Sequence, residues 1–383
     1  MKRSPALLLV SLLLAAVSLL RAADVPALPD GLYAEFATPR GTITCELFLT
    51  RAPLTVTSFV GLAEGTLAPR DGRPFYTGLK WYRVVPNFVI QSGDPTYAPN
   101  KPDSATADPY SFPDEFVPGL HLDTPGILAM ANDGPDTNGC EFFITLRDTT
   151  RLNYLHSVFG RVVRGHDVLP QIKPDDPFTI KILRLGAAAK KFRADQPAFA
   201  ALLARAKKYS FAAAPGPAAH FDDPDKLLPA DPPRAKNFNF KLANFERATG
   251  VKIYARVFAK FTPETPAQRP GNFAGSLAHR LGLAQDGILA IYFADTGKWG
   301  LWIGDNYVTR FMGRPGTVSE FMKDGAFHQA KQDFLAAAKA QADTYTAEAE
   351  KSAAPGKPIT ASQKIKYSTD AVLDALLLKL EPK

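Results

Sequence analysis

The sequence predicts an antiparallel β-barrel with flanking helices, followed by a separate α/β domain. Three observations carry this reading. A length of 383 residues exceeds what one ordinary core organises. The apolar runs of the first half are short and broken by Gly, Pro, Asn and Asp, whereas the second half sets helical stripes around strand-like runs. Between the halves, residues 212–234 hold Pro215, Pro217, Pro224, Pro229, Pro232 and Pro233, the composition of a linker. With 46% hydrophobic and 22% charged residues the chain is globular, which excludes a wholly disordered or fibrous protein. Its two cysteines can build neither a disulfide scaffold nor a four-cysteine zinc site.

Lys2 and Arg3 precede an apolar run over residues 6–20, and Ala22 and Ala23 follow, the layout of a secretory signal peptide over residues 1–22. The run is shorter than the roughly twenty residues that span a bilayer. Residues 32–38 and 41–49 read as a hairpin turned at Gly41, with Ile43, Cys45, Leu47 and Leu49 on one face. Pro53 opens a helix whose Val56, Phe59, Val60 and Ala63 share a stripe, and Gly65 closes it. Residues 75–160 supply barrel strands joined by long loops, and residues 159–163 and 179–185 complete a first domain over 30–186.

Residues 187–236 read as a helix and the linker. Asp195 caps that helix, Pro197 suits its first turn, and Phe199, Leu202, Leu203 and Ala206 form a stripe ending at Lys207 and Lys208. The second domain, 237–383, opens with Phe238, Leu242 and Phe245 at helical spacing before Gly250. A strand at 251–258, a helix at 273–281 and a continuous apolar run at 287–294 predict a βαβ crossover. Asp295 to Lys298 turn into a strand at 299–303, and helices over 326–351 and 369–380 finish the chain.

Charge is uneven. Residues 24–186 carry 14 Lys and Arg against 19 Asp and Glu, and residues 187–383 carry 28 against 19. A basic second half can associate with an anionic membrane surface, while export argues against nucleic acid. Solvated helix faces explain the excess with no partner at all.

Two segments decide the function. Residues 81–94 run from Trp81, Tyr82 and Arg83 through Phe88, Val89 and Gln91 to Asp94; residues 126–144 include Ala131, Asn132, Asp136, Cys140, Glu141 and Phe143. With Leu152, His156 and Phe159 behind them, these segments closely resemble the signature segments of cyclophilin-type peptidyl-prolyl isomerases over residues 32–186. The resemblance implies a closed barrel of eight strands and isomerisation of proline-containing polypeptides, with Arg83 as the catalytic arginine.

The chemistry stands without the name. Rotation about an X-Pro bond faces a barrier of roughly 20 kcal/mol, because nitrogen donates its lone pair into the carbonyl. A catalyst therefore needs no nucleophile, metal, cofactor or net proton transfer. It needs an apolar slot for the ring and a fixed donor for the twisted amide. Arg83 is the donor and Gln91 orients it; Phe88, Val89, Phe143 and Leu152 form the slot, with His156 at its rim. Ala131 and the main chain of Asn132 hold the substrate backbone as a strand would, while Asp136 is read as a turn residue. The six histidines show no metal-binding spacing.

Four positions depart from the family pattern. Tyr82 replaces a common histidine, Val89 a methionine, Glu141 a glutamine, and Arg151 a tryptophan whose indole serves cyclosporin binding. Glu141 is expected to approach Arg83 and pair with it, which would pull the carboxyl pKa down. The alternative is that it points into a loop and bonds main-chain N–H groups. Cys45 and Cys140 are read as two separate buried thiols.

The second domain faintly resembles the TPM domain family over residues 237–345, some of whose members are phosphatases or calcium binders. Asp286, Asp295 and Asp305 are the carboxylates such a site would use, and each also suits a turn. The leading expectation is a monomeric exported isomerase. Its rivals are a module that docks proline segments without turnover, and a chain whose main activity lies in the C-terminal domain.

Overall fold

The computed structural model describes residues 27–68, 72–97, 111–353 and 356–383, so the signal-peptide reading lies outside the described residues. Among these, the first unit is built on strands β1 (Gly31–Thr38), β2 (Gly41–Leu47), β3 (Arg83–Val85), β4 (Val89–Ser92), β5 (Ile127–Met130), β6 (Phe142–Thr145), β7 (Val158–Arg164) and β8 (Thr179–Leu185). They form one antiparallel sheet in the order β3-β4-β6-β5-β7-β2-β1-β8.

The sheet is open, which corrects the predicted closed barrel. No ladder joins the edge strands β3 and β8. Among the described residues a single bridge, Lys80 with Pro177, crosses the gap, supported by Trp81 N–H donating to Asp176 O at 3.0 Å. Two causes are local: β3 is three residues long, and Pro177 has no N–H with which to continue a ladder.

The concave side is filled by Ile43, Cys45, Leu47, Trp81, Ile90, Leu128, Phe142 and Ile144, and the helix α1 (Pro53–Glu64) plugs it with Val56, Phe59 and Val60. Gly65 ends α1 at φ 76°, a left-handed cap as its position predicts. Cys45 and Cys140 are both buried thiols of this core, not joined in a disulfide, and burial pushes the Cys45 thiol far up. A short helix α2 (Gly186–Lys191), absent from the sequence reading, follows β8 directly. Helix α3 (Gln196–Leu203) is capped by the Asp195 carboxylate, which accepts from Ala198 N–H at 3.0 Å. It ends before Lys207 and Lys208, yet Phe199, Leu202, Leu203 and Ala206 all pack on the barrel core.

The expected linker is partly folded. Strand β9 (Phe221–Asp222) lies within it and pairs with β10 (Ile253–Phe258), because Phe221 is fully buried in the second core. Between them runs α4 (Arg234–Thr249), capped by Gly250. Helix α5 (Pro270–Arg280) connects β10 to the parallel β11 (Ile288–Phe293), the predicted crossover, and β12 (Lys298–Ile303) returns antiparallel. Every residue of β11 is buried, its alternate side chains entering two clusters on opposite faces. Helices α6 (Asp305–Met312) and α7 (Val318–Lys323) were not foreseen; α8 (Ala326–Ser352) was, and α9 (Ala361–Leu380) begins eight residues before its predicted start. No described helix is long and apolar enough to cross a membrane.

The two units are fastened by buried polar contacts. Arg247 on α4 donates to Asp114 at 3.1 Å and to Asp136 at 2.6 Å. Asp136 also accepts from Tyr209 N–H, so it is an inter-unit tie and not only a turn former. Near the C-terminus Glu381 takes both His121 Nε2, at 3.0 Å, and the Tyr154 hydroxyl.

Candidate functional site

Antiparallel register gathers the predicted residues into one row. Arg83 stands opposite Gln91, Gln91 opposite Phe143, Phe143 opposite Ala129, and Ala129 opposite Val158. Directly opposed residues share a sheet face, so these side chains cross five strands on the convex side. Their alternates Ile90, Ile144 and Leu128 point into the main core. The short run of each strand thus serves two interiors at once.

On the convex face Val89, Phe143, Ala129, Ile127, Val158 and Leu122 form a separate buried cluster, edged by Phe88, Ala131 and Leu152. Phe88 is placed by the β3–β4 turn: Asn87 takes φ 54°, Phe88 N–H donates to Val85 O at 3.0 Å, and Phe88 O accepts from Leu146 N–H at 2.8 Å. Leu152 ends a 3-10 turn, Thr150–Leu152, held by its N–H on Thr149 O. His156 stands edge-on to Phe143, with centroids 5.3 Å apart. Its Nδ1 lies 3.0 Å from Met130 O, and a carbonyl can only accept, so Nδ1 carries the proton and Nε2 offers a lone pair. Burial lowers its pKa to about 4, leaving the ring neutral at physiological pH.

The donor side is a relay. Arg83 Nη1 donates to Gln91 Oε1 at 2.9 Å, and Gln91 Nε2 donates to Glu141 Oε2 at 2.9 Å. Glu141 therefore pairs with Gln91 and not with Arg83, a correction to the expected ion pair. It also bonds the Tyr82 hydroxyl, and its pKa is up, not down, at about 7. Burial is the main cause; the bonds from Gln91 and Tyr82 oppose it, and Asp94 and Asp133 add to it. The turn beyond β4 reaches this place because Gly93, at φ 115°, passes over the chain at Cys140, where a Cβ would lie 2.3 Å from the carbonyl oxygen.

Asn132 uses its side chain to hold the neighbouring loop, Nδ2 donating to Leu155 O at 2.8 Å and Oδ1 accepting from Gly134 N–H at 3.3 Å. Its own N–H and C=O have no backbone partner among the described residues. Ala131 N–H is taken by Glu141 O at 3.0 Å. Arg151 lies over the Phe88 ring, 5.9 Å from its centroid.

Two participants were not found in the sequence. Tyr82 was noticed as a departure, but not as the hydroxyl closing the relay or as the ring stacked on Tyr97 at 3.9 Å. Asp114 anchors the loop over residues 132–138, accepting from Asn138 Nδ2 at 2.8 Å and from Asp136 N–H at 2.9 Å. Burial raises its pKa to about 6, although Arg247 pulls the other way. Its partners lie in other segments, so no local pattern marks it. In the second unit Asp286 is bonded by Asn306, Asp295 by Thr296 N–H, and Asp305 opens α6. Among the described residues no three His, Cys, Asp or Glu converge as a metal site.

Comparison with known proteins places the likeness in the first unit. Residues 33–185 match the family model described as cyclophilin type peptidyl-prolyl cis-trans isomerase/CLD. Peptidyl-prolyl cis-trans isomerase A of Mycobacterium tuberculosis is 46% identical over 134 residues, which are 33% of this chain and 70% of that protein. Peptidyl-prolyl cis-trans isomerase-like 1 of Mus musculus is 42% identical over 137 residues, 36% of this chain and 75% of that one. A crystal structure of a cyclophilin type isomerase from Cryptosporidium parvum covers 40% of this chain and 98% of its own, at 28% identity and a TM-score of 0.33.

Proposed function

This chain belongs to the cyclophilin-type peptidyl-prolyl cis-trans isomerase family, and on that premise we propose that it isomerises X-Pro bonds in exported polypeptides as they fold. It is a peptidyl-prolyl cis-trans isomerase acting on proline-containing chains. What supports the residue roles is the single row that sets Arg83, Gln91 and Phe143 on adjacent strands of one face.

The proline ring enters the cluster of Val89 and Phe143 between Phe88 and Leu152, where burial replaces water around it. Beside it the Arg83 guanidinium donates to the prolyl amide as it twists, and Gln91 holds that fork at a fixed angle. Resonance is lost in the twisted amide, so the nitrogen gains electron density that a preorganised cation stabilises more than it does the planar ground state. The N–H and C=O of Asn132 pair with the substrate main chain. His156 Nε2 accepts a substrate N–H without titrating.

The exported setting rests on the layout of residues 1–22, and the second unit is an accessory domain, TPM-like in its strand-helix-strand crossover, on a monomeric chain. Its basic surface suits an anionic membrane. The test joins an X-Pro tetrapeptide assay, the proline-limited refolding of an exported protein, and N-terminal sequencing of the chain recovered from its cell. Acceleration of both reactions by a mature chain beginning near Ala23 is expected. Uncatalysed rates would overturn the isomerase; retention of residues 1–22 in a cytosolic chain would overturn the exported role.

A further inference from the structure

The slot that receives proline does not face open solvent on every side. Phe88, Leu152 and His156 line one wall of a cavity of about 560 Å³, and the opposite wall comes from α4 and α9 of the second unit. Such a volume suits a short length of extended chain beyond the ring itself. The second wall is fixed: Arg247 ties α4 to Asp114 and Asp136, Asn244 Nδ2 on α4 donates to Tyr154 O at 2.9 Å, and Glu381 past α9 holds His121.

The cavity lining is cationic. Arg151 contributes from the first unit, and Arg234, Lys236, Lys241 and Lys366 from the second, Lys241 being paired with Asp374. Arg151 stacks on Phe88 and Lys236 on Phe240, and among the described residues neither these two nor Arg234 enters an ion pair. Lys366 is neutralised by Asp370. Burial lowers the Lys366 pKa, Asp370 opposes that, and Arg151 and Arg234 add to the lowering. Asp133 at the rim adds one negative charge to the lining.

We infer that the second unit is the far wall of an extended substrate cleft, and that Arg151, Arg234 and Lys236 select prolines flanked by Asp or Glu. This deepens the isomerase reading and rests on it. A carboxylate beside the ring meets three cations that have no ion-pair partner among the described residues, in a partly enclosed space where charge pairs are screened less than on an open surface. A lysine in the same place meets the same charges with the opposite sign.

The test measures kcat/KM of the full chain on tetrapeptides carrying Glu, Ala or Lys next to proline, on either side of it. Glu peptides should exceed Lys peptides by about tenfold at low salt, and the ratio should shrink severalfold in 1 M salt. Arg234→Glu with Lys236→Glu should reverse the order, with unfolding temperature read alongside. Equal rates for Glu and Lys peptides in the wild type, or a preference indifferent to salt, would overturn the cleft even if the doubly substituted chain does not fold. The Ala peptide separates the two readings: if the wild type turns it over but ignores charge, the cleft fails alone, and if it does not, isomerisation fails first.

Discussion

Arg83 and Gln91 face each other across the β3–β4 ladder and are joined by a 2.9 Å bond from Nη1 to Oε1. That bond decides which way the Gln91 amide is turned. With its oxygen committed to a cation, its NH₂ must face the Glu141 carboxyl, where it donates at 2.9 Å. One guanidinium N–H is spent on alignment and the rest of the fork stays available to substrate. The exposed arginine gains a fixed direction from a half-buried residue behind it.

Removal of the donor should therefore separate catalysis from folding. Arg83→Ala should lower kcat/KM about 100-fold to 1,000-fold, the typical loss for one preorganised donor. Its unfolding temperature should stay within about 2 °C of the wild type, since an exposed side chain carries little stability. Peptide kinetics and a thermal melt on the same sample check both halves, and wild-type catalysis would remove Arg83 from the mechanism.

Phe143 should behave differently because it is floor and core together. It is 3% exposed and packs with Val89, Ala129 and Val158. Phe143→Ala should cost about 3–5 kcal/mol of stability and raise KM, since the slot loses its base. Denaturant unfolding and a substrate titration would show the pair of effects; an unchanged KM with reduced stability would make it core alone.

The sequence made most of this site legible because its strands are short and their register is forced. Arg83, Gln91 and Phe143 could be brought together from their motifs, and Phe88, Val89 and Leu152 from their apolarity. The sheet's open edge was harder to see, since it depends on how a three-residue strand meets Pro177. Strand β9 was hidden in a proline-rich run where Phe221 and Leu228 reach the second core with no alternation to mark a strand. The wall that α4 and α9 build opposite His156 had no local signature at all. Phe238, Leu242 and Phe245 announced a helix, but helical periodicity does not say which neighbour the other face will meet.

Asp136 was read as a turn residue, and its contacts give a new expectation. Arg247→Ala leaves Asp114 and Asp136 without their cation, with Asp114 almost fully enclosed. Breaking a buried pair from one side typically costs about 3–5 kcal/mol. Asp136→Asn keeps one acceptor for Tyr209 N–H or Arg247 and should cost about 1–2 kcal/mol. Thermal melts of the full chain rank the two, and a neutral Arg247→Ala would show that the units do not depend on this tie.

Glu141 offers the clearest dependence on pH. Its carboxyl titrates near 7 in the folded chain against 4.5 in an open one, because burial outweighs the bonds from Gln91 and Tyr82. Between those values the folded state binds more protons than the unfolded state, so stability falls as pH rises through the window and the penalty is complete above 7. Glu141→Gln removes an ionisable group while keeping an oxygen for Gln91 Nε2. The variant should match the wild type near pH 4 and exceed it at pH 8 by on the order of 1–2 kcal/mol, allowing for the part of the side chain that stays hydrated. Because Gln91 keeps its orientation, kcat/KM at pH 8 should lie within about threefold of the wild type. Melts at both pH values together with peptide kinetics decide the matter. A variant that loses stability at pH 8 would show that the ionised carboxyl is held by bonds stronger than its burial, and a large loss of turnover with the fold intact would make the carboxylate itself the group that positions Arg83 through Gln91.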